Sequence, residues 1–210
     1  TRRVYGKNMD EKRVMHVIGS KVPVPHQTSQ SVLINGDLWT EVLYFGNARG
    51  TVQPLFHIDM FLSFAGRDPV SKKFTILVGD PLMASQTLGM PQPWAHAMLP
   101  VFDDIANQLK LKGFNVIRNP LPLAYDDDPT QKVRSWYFAT SNNVLLQDSP
   151  KVVWIPTYGH DKWAHFSKTD DQNAHIWERL GYEVRRLGNF HPFAAKLGAA
   201  HCISKYVSRK

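Results

Sequence analysis

Lys73-Phe74-Thr75-Ile76-Leu77-Val78-Gly79, followed by Gly113-Phe114-Asn115-Val116-Ile117-Arg118, sets an order that recurs as Lys151-Val152-Val153-Trp154-Ile155-Pro156 and Gly181-Tyr182-Glu183-Val184-Arg185-Arg186. The first run is short, apolar and stopped by Gly79-Asp80-Pro81, the pattern of a buried strand. Between the runs lies helical spacing: Met98, Val101, Phe102, Ile105 and Leu109 within Trp94 to Lys112, and again over Asp170 to Leu180. Gly113 and Gly181 stand where a helix C-cap is expected. An alternating strand over Arg134 to Leu146, with Asn142-Asn143 as a turn or bulge near its middle, completes the pattern. The fold class is therefore α/β, built from ββαβ modules that share a core, with sites formed by strand ends and loops.

Outward from the repeat, Met15 to Ile18 and Ser31 to Ile34 read as short strands separated by Pro23 and Pro25, and residues 1–40 show no helix. At 210 residues and 43% hydrophobic, the chain can bury one substantial core. Residues 1–210 are read as a single domain with modules at approximately 1–65, 66–134 and 135–210. No run approaches ~18 uncharged apolar residues, so no membrane partner is expected. The net charge of +7 comes from scattered Lys and Arg, densest at Arg185-Arg186 and from Lys205 to Lys210. That distribution reads as solvated surface, and no specific nucleic acid is expected.

Cys202 is the only cysteine, which rules out an intramolecular disulfide and a thiolate zinc site and fits a reducing, cytoplasmic location. In Gly198-Ala199-Ala200-His201-Cys202-Ile203-Ser204 the thiol is either a buried small hydrophobe or a nucleophile. Its small neighbours allow close backbone approach and a tight pocket. A nucleophilic thiol needs a base and an orienting acid. His57-Ile58-Asp59 supplies both types, and in a strand residues two apart project to one face. His160, Asp161, His165 and His175 lack zinc-ligand spacing, and no glycine-rich phosphate loop occurs, so neither metal nor cofactor is expected. Asp126-Asp127-Asp128 reads as a solvated loop.

Four segments in order, Pro54-Leu55-Phe56-His57-Ile58-Asp59, Ser141-Asn142-Asn143, Val153-Trp154-Ile155-Pro156-Thr157-Tyr158-Gly159 and Gly198 to Ser204, resemble the guanidine-modifying (pentein) superfamily. That group comprises agmatine and arginine deiminases, dimethylarginine hydrolases and arginine:glycine amidinotransferases. The resemblance implies an α/β propeller of ββαβ modules and a covalent amidino-cysteine chemistry, by hydrolysis or amidino transfer. Cys202 would be the nucleophile, His57 the general acid/base and Asp59 the guanidinium-binding carboxylate, with His201 and Asn142 among the substrate-binding residues. Arg49 either pairs a substrate carboxylate or is a solvated loop residue. The implied partner is a small guanidino compound, arginine- or agmatine-like.

The chain departs from the family pattern in two places. Ala199 and Ala200 stand where glycines are common, and no Glu-Gly-Gly-type segment precedes His57; Asp10 and Glu11 lie at about the right distance without the glycines. The chain is therefore expected to be the C-terminal part of a longer enzyme with an incomplete set of modules. An N-terminal companion segment or a homo-oligomer would supply the missing acids. The competing expectation is a non-catalytic binding module of the same fold, directed at a protein or ribonucleoprotein surface.

Overall fold

The computed structural model describes residues 16, 18–24, 29–43, 55 and 57–205. Arg49, Pro54, Phe56, Asp10 and Glu11, and Met15 and Val17 of the first expected strand, lie outside them. His16 and Ile18 themselves are not in a strand.

The described residues form a mixed α/β structure with three separate sheets. One is formed by β3 (Leu62–Arg67), β4 (Phe74–Asp80) and β5 (Asn115–Pro120), in that order. Its β3–β4 pair is antiparallel and its β4–β5 pair parallel. The parallel step needs a crossover, and two helices supply it: α1 (Pro81–Leu88) and α2 (Ala95–Leu111). The second sheet repeats the plan with β8 (Leu145–Asp148), β9 (Lys151–Thr157) and β10 (Glu183–Asn189), crossing through α3 (Ser167–Arg179). Each unit is thus two antiparallel strands, a helical crossover (two helices in the first unit, α3 in the second) and a parallel strand.

The third sheet has the order β1-β2-β7-β6, from β1 (Ser29–Ile34), β2 (Asp37–Leu43), β6 (Leu123–Asp128) and β7 (Val133–Phe138). Here the parallel neighbour of β7 is β2, from far earlier in the chain. Two expectations change in this region. Asp126, Asp127 and Asp128 end a strand rather than forming a loop, and Asp127 pairs with Arg134 across the β6–β7 hairpin at 2.7 Å. Arg134 to Leu146 is not one strand: β7 stops at Phe138, and residues 139–144 carry the chain from the third sheet to the second.

The helices follow from their sequences. Met98, Val101, Phe102, Ile105 and Leu109 of α2 are all fully buried, and Gly113 takes a left-handed φ of 89° just beyond it. The helix α1 lies ahead of Trp94 to Lys112, outside the helical spacing that the sequence shows. Asp80 caps it by accepting from the Met83 amide at 2.9 Å, and Pro81 occupies its first turn.

Candidate functional site

The polar segment Thr140-Ser141-Asn142-Asn143, where the chain crosses between sheets, is almost wholly buried, so its donors and acceptors must find partners inside the protein. Those partners hold the surrounding segments in place. Thr140 Oγ1 donates to the carbonyl of Met60 at 2.6 Å and accepts from the Asn142 amide at 3.0 Å. Asn142 joins a buried network: its Nδ2 reaches Ser63 Oγ at 3.2 Å and Asn119 Oδ1 at 3.1 Å, and its Oδ1 accepts from Asn119. Asn119 also donates to Asn173 Oδ1 at 2.8 Å, which ties β5 to α3. Asn142 is therefore committed to linking the two ββαβ units rather than placed with the exposed candidate residues.

Its neighbour Asn143 reaches the thiol segment. Asn143 Oδ1 accepts from the His201 amide at 2.9 Å and lies 3.3 Å from the Cys202 amide, at the start of a 3₁₀ turn over His201–Ile203. A short turn leaves its first amides without internal partners, and a buried side-chain carbonyl satisfies two of them here. Among the described residues, Asn143 Nδ2 is buried without a hydrogen-bond partner. The sequence signal for this role was only the Asn-Asn pair.

The His57-Ile58-Asp59 segment is not a strand. His57 is extended, and Ile58–Met60 is a 3₁₀ turn whose closing carbonyl, Met60 O, is the one that Thr140 holds. Both chemical segments are thus pinned to the same four-residue crossing, Asp59's turn through Thr140 and the Cys202 turn through Asn143.

The result brings His57, Asp59 and Cys202 together: one nitrogen, one carboxylate oxygen and the sulfur all lie within 4.8 Å of one another. Cys202 Sγ is 3.9 Å from His57 Nδ1, at the long end of a sulfur hydrogen bond. His201 Nδ1 lies 2.8 Å from Asp59 Oδ2. Their side chains are 47% and 32% exposed, so this pair contributes little to stability, about 0–1 kcal/mol. The trio also offers nitrogen, oxygen and sulfur atoms, donor types that a divalent cation takes.

The small residues before the thiol serve a different end from the one expected. Ala199 and Ala200 are 0% and 2% exposed and pack into a cluster with Tyr137, Tyr158 and Phe190. The thiol itself is exposed. Beneath this cluster His191 bridges Tyr137 Oη and the Tyr158 carbonyl, each at 2.8 Å. A carbonyl can only accept, so Nε2 carries the proton and Nδ1 accepts from the Tyr137 hydroxyl. Burial holds the His191 imidazole below its ordinary range.

His160, Asp161 and His165 form no cluster of ligand-bearing groups; His160 Nε2 instead lies 2.9 Å from Thr157 Oγ1. Among the described residues no helix is long and apolar enough to cross a membrane.

No family model matches the chain, and no curated protein matches it. Among solved structures, the chain is similar to a Porphyromonas gingivalis protein assigned as an arginine deiminase, at 13% identity and a TM-score of 0.38, over 89% of this chain and 75% of that one. It is also similar to a C. jejuni agmatine deiminase, at 12% identity and a TM-score of 0.38, over 84% of this chain and 69% of that one.

Proposed function

We propose that the chain carries the thiol half of a guanidino-modifying site, with Cys202 as nucleophile, His57 as general acid/base and Asp59 as the acceptor for the substrate cation. The single observation that supports this reading most is the convergence of His57, Asp59 and Cys202 within 4.8 Å from segments 145 residues apart. The three chemical types are those needed to attack a cationic, planar carbon. A carboxylate attracts and orients the guanidinium, the adjacent cation favours the thiolate, and an imidazole can move the protons.

The Cys202 thiolate adds to the guanidinium carbon, and the C–N bond breaks as His57 protonates the departing amine. An amidino group is left on sulfur. Water, deprotonated by His57, then adds to that carbon and expels the thiolate, which yields a ureido compound when ammonia was the leaving group. An amine in place of water would yield a new guanidino compound. The substrate class proposed is a small arginine- or agmatine-like molecule. The twice-used ββαβ unit suits a propeller of such modules, completed by an N-terminal companion segment or a second copy of the chain.

Intact-mass spectrometry after exposure to 2-chloroacetamidine tests this. The expected result is a single adduct, absent from Cys202→Ser, that forms at least about tenfold more slowly in Asp59→Asn, as the loss of one charge-assisted contact implies. Labelling of the wild type no faster than that of a free thiol, with Asp59→Asn unchanged, would overturn the reading in favour of a module that only binds.

A further inference from the structure

The pairing of His201 with Asp59 calls for an explanation that stability does not supply. Both side chains are partly exposed, and both belong to short turns with few internal bonds. Yet the pair sits at 2.8 Å, and both turns are held from behind by the buried Thr140–Asn143 crossing. The His201 amide is fixed by Asn143 Oδ1, so its ring pivots from an anchored point one residue before the thiol. On the opposite side, Met60 is fixed by Thr140, so the Asp59 carboxylate also has an anchored base. The remaining freedom is rotation of the carboxylate about its own side-chain bonds, and a donor on one oxygen removes it.

We propose that His201 is a positioning residue. Its Nδ1–H holds Asp59 Oδ2 and presents the carboxylate, in one orientation, to a cation approaching the Cys202 sulfur. The proposal rests on the guanidino reading of the site, and it assigns His201 to orienting Asp59 rather than to direct contact with substrate. Each carboxylate oxygen can accept more than one hydrogen bond, so a donor on Oδ2 is compatible with a guanidinium on the same group.

The test uses two electrophiles that differ in charge, cationic 2-chloroacetamidine and neutral chloroacetamide. In both, the thiolate forms a carbon–sulfur bond at the CH2 and chloride departs. Rates of Cys202 labelling are followed by intact mass as a function of reagent concentration for wild type, His201→Leu and His201→Asn, with thermal unfolding as a check on folding. Asparagine places a nitrogen donor close to the position of Nδ1, whereas leucine offers none. His201→Leu should need roughly five- to tenfold more 2-chloroacetamidine to half-saturate, with its limiting rate changed far less, as expected when a charge-assisted contact loses its orientation. Labelling by chloroacetamide should stay within about twofold, because the neutral reagent does not use the carboxylate. His201→Asn should recover most of the wild-type half-saturation. The proposal is overturned if His201→Leu keeps the wild-type concentration dependence, or if His201→Asn behaves as the leucine variant does while folded. A wild type that does not distinguish the two reagents overturns the guanidino reading itself, and the positioning role with it.

Discussion

A methyl group at residue 159 has no room. A Cβ built on Gly159 would lie 2.6 Å from the Ser167 amide nitrogen and 2.7 Å from its Cα, both backbone atoms at the start of α3. The Tyr158 and Gly159 amides both donate to Asp170 Oδ2, at 2.9 and 2.7 Å, so the β9–α3 junction is also tied by hydrogen bonds that cannot stretch far. Gly159→Ala should therefore cost about 1–3 kcal/mol, as overpacking against fixed backbone does. A denaturant midpoint unchanged from wild type would show that the junction can shift. Thr157 belongs to the same joint: its hydroxyl meets the carbonyls of Leu187 and Gly188 on the neighbouring strand. The Thr157-Tyr158-Gly159 motif, which contributed to the family resemblance, thus has a packing explanation that requires no substrate.

At the scale of elements, the crossing Thr140–Asn143 does what no single strand or helix does, holding the Asp59 turn at one end and the Cys202 turn at the other. Thr140→Val keeps the shape and removes the hydroxyl, leaving the Met60 carbonyl and the Asn142 amide without this partner. The expected cost is about 1–3 kcal/mol for buried groups left unsatisfied. If the crossing sets the site, Thr140→Val should also lower the preference of Cys202 for 2-chloroacetamidine over chloroacetamide, whereas Gly159→Ala should lose stability alone. Equal preference in the two variants would mean that the Asp59 turn is held by something else. The sequence marks Asn142-Asn143 as a turn or bulge, but the role of the crossing was illegible for a physical reason. Its four polar residues are satisfied by partners on β3, β5, β9, the Asp59 turn and the Cys202 turn, and none of that pairing is written in local periodicity. By contrast β4, α2, β5, β9, α3 and β10 were legible because apolar spacing and a glycine just past each helix all point the same way. The helix α1 was missed because Gly79-Asp80-Pro81 stops a strand and caps a helix with the same letters. His57 and Asp59 were found as a pair, but with His57 extended and Asp59 on a 3₁₀ turn rather than both on a strand, since three residues carry too little pattern to separate the two.

At the scale of the whole molecule, two groups that titrate under mildly acidic conditions, Asp170 and His191, meet at one residue, Tyr158. Its amide donates to Asp170 and its carbonyl accepts from His191, two buried groups displaced in opposite directions. Burial raises the Asp170 carboxyl from 3.8 to about 6, partly offset by the two amides it accepts from. The folded state therefore binds more protons than the unfolded one between those values. Asp170's contribution is full below pH 3.8 and lost as pH rises through about 6. Burial lowers the His191 imidazole from 6.5, so its contribution is full above pH 6.5 and lost as pH falls below it. The two slopes oppose each other, which flattens the wild-type profile under mildly acidic conditions. Asp170→Asn isolates them: the amide oxygen can still accept from Tyr158 and Gly159, but no charge is buried. Relative to wild type, the variant should gain stability between pH 4.5 and 7.5, by roughly 2–3 kcal/mol at the usual conversion of a displaced carboxyl. Its own profile should rise through the range just below pH 6.5, where the buried imidazole of His191, joined by His165, acts without opposition from Asp170. Chemical denaturation at both pH values decides the matter, and a variant that instead loses ground to wild type as pH rises would show that the ionised Asp170 supports the fold, through its two amide bonds and Arg186, rather than burdening it.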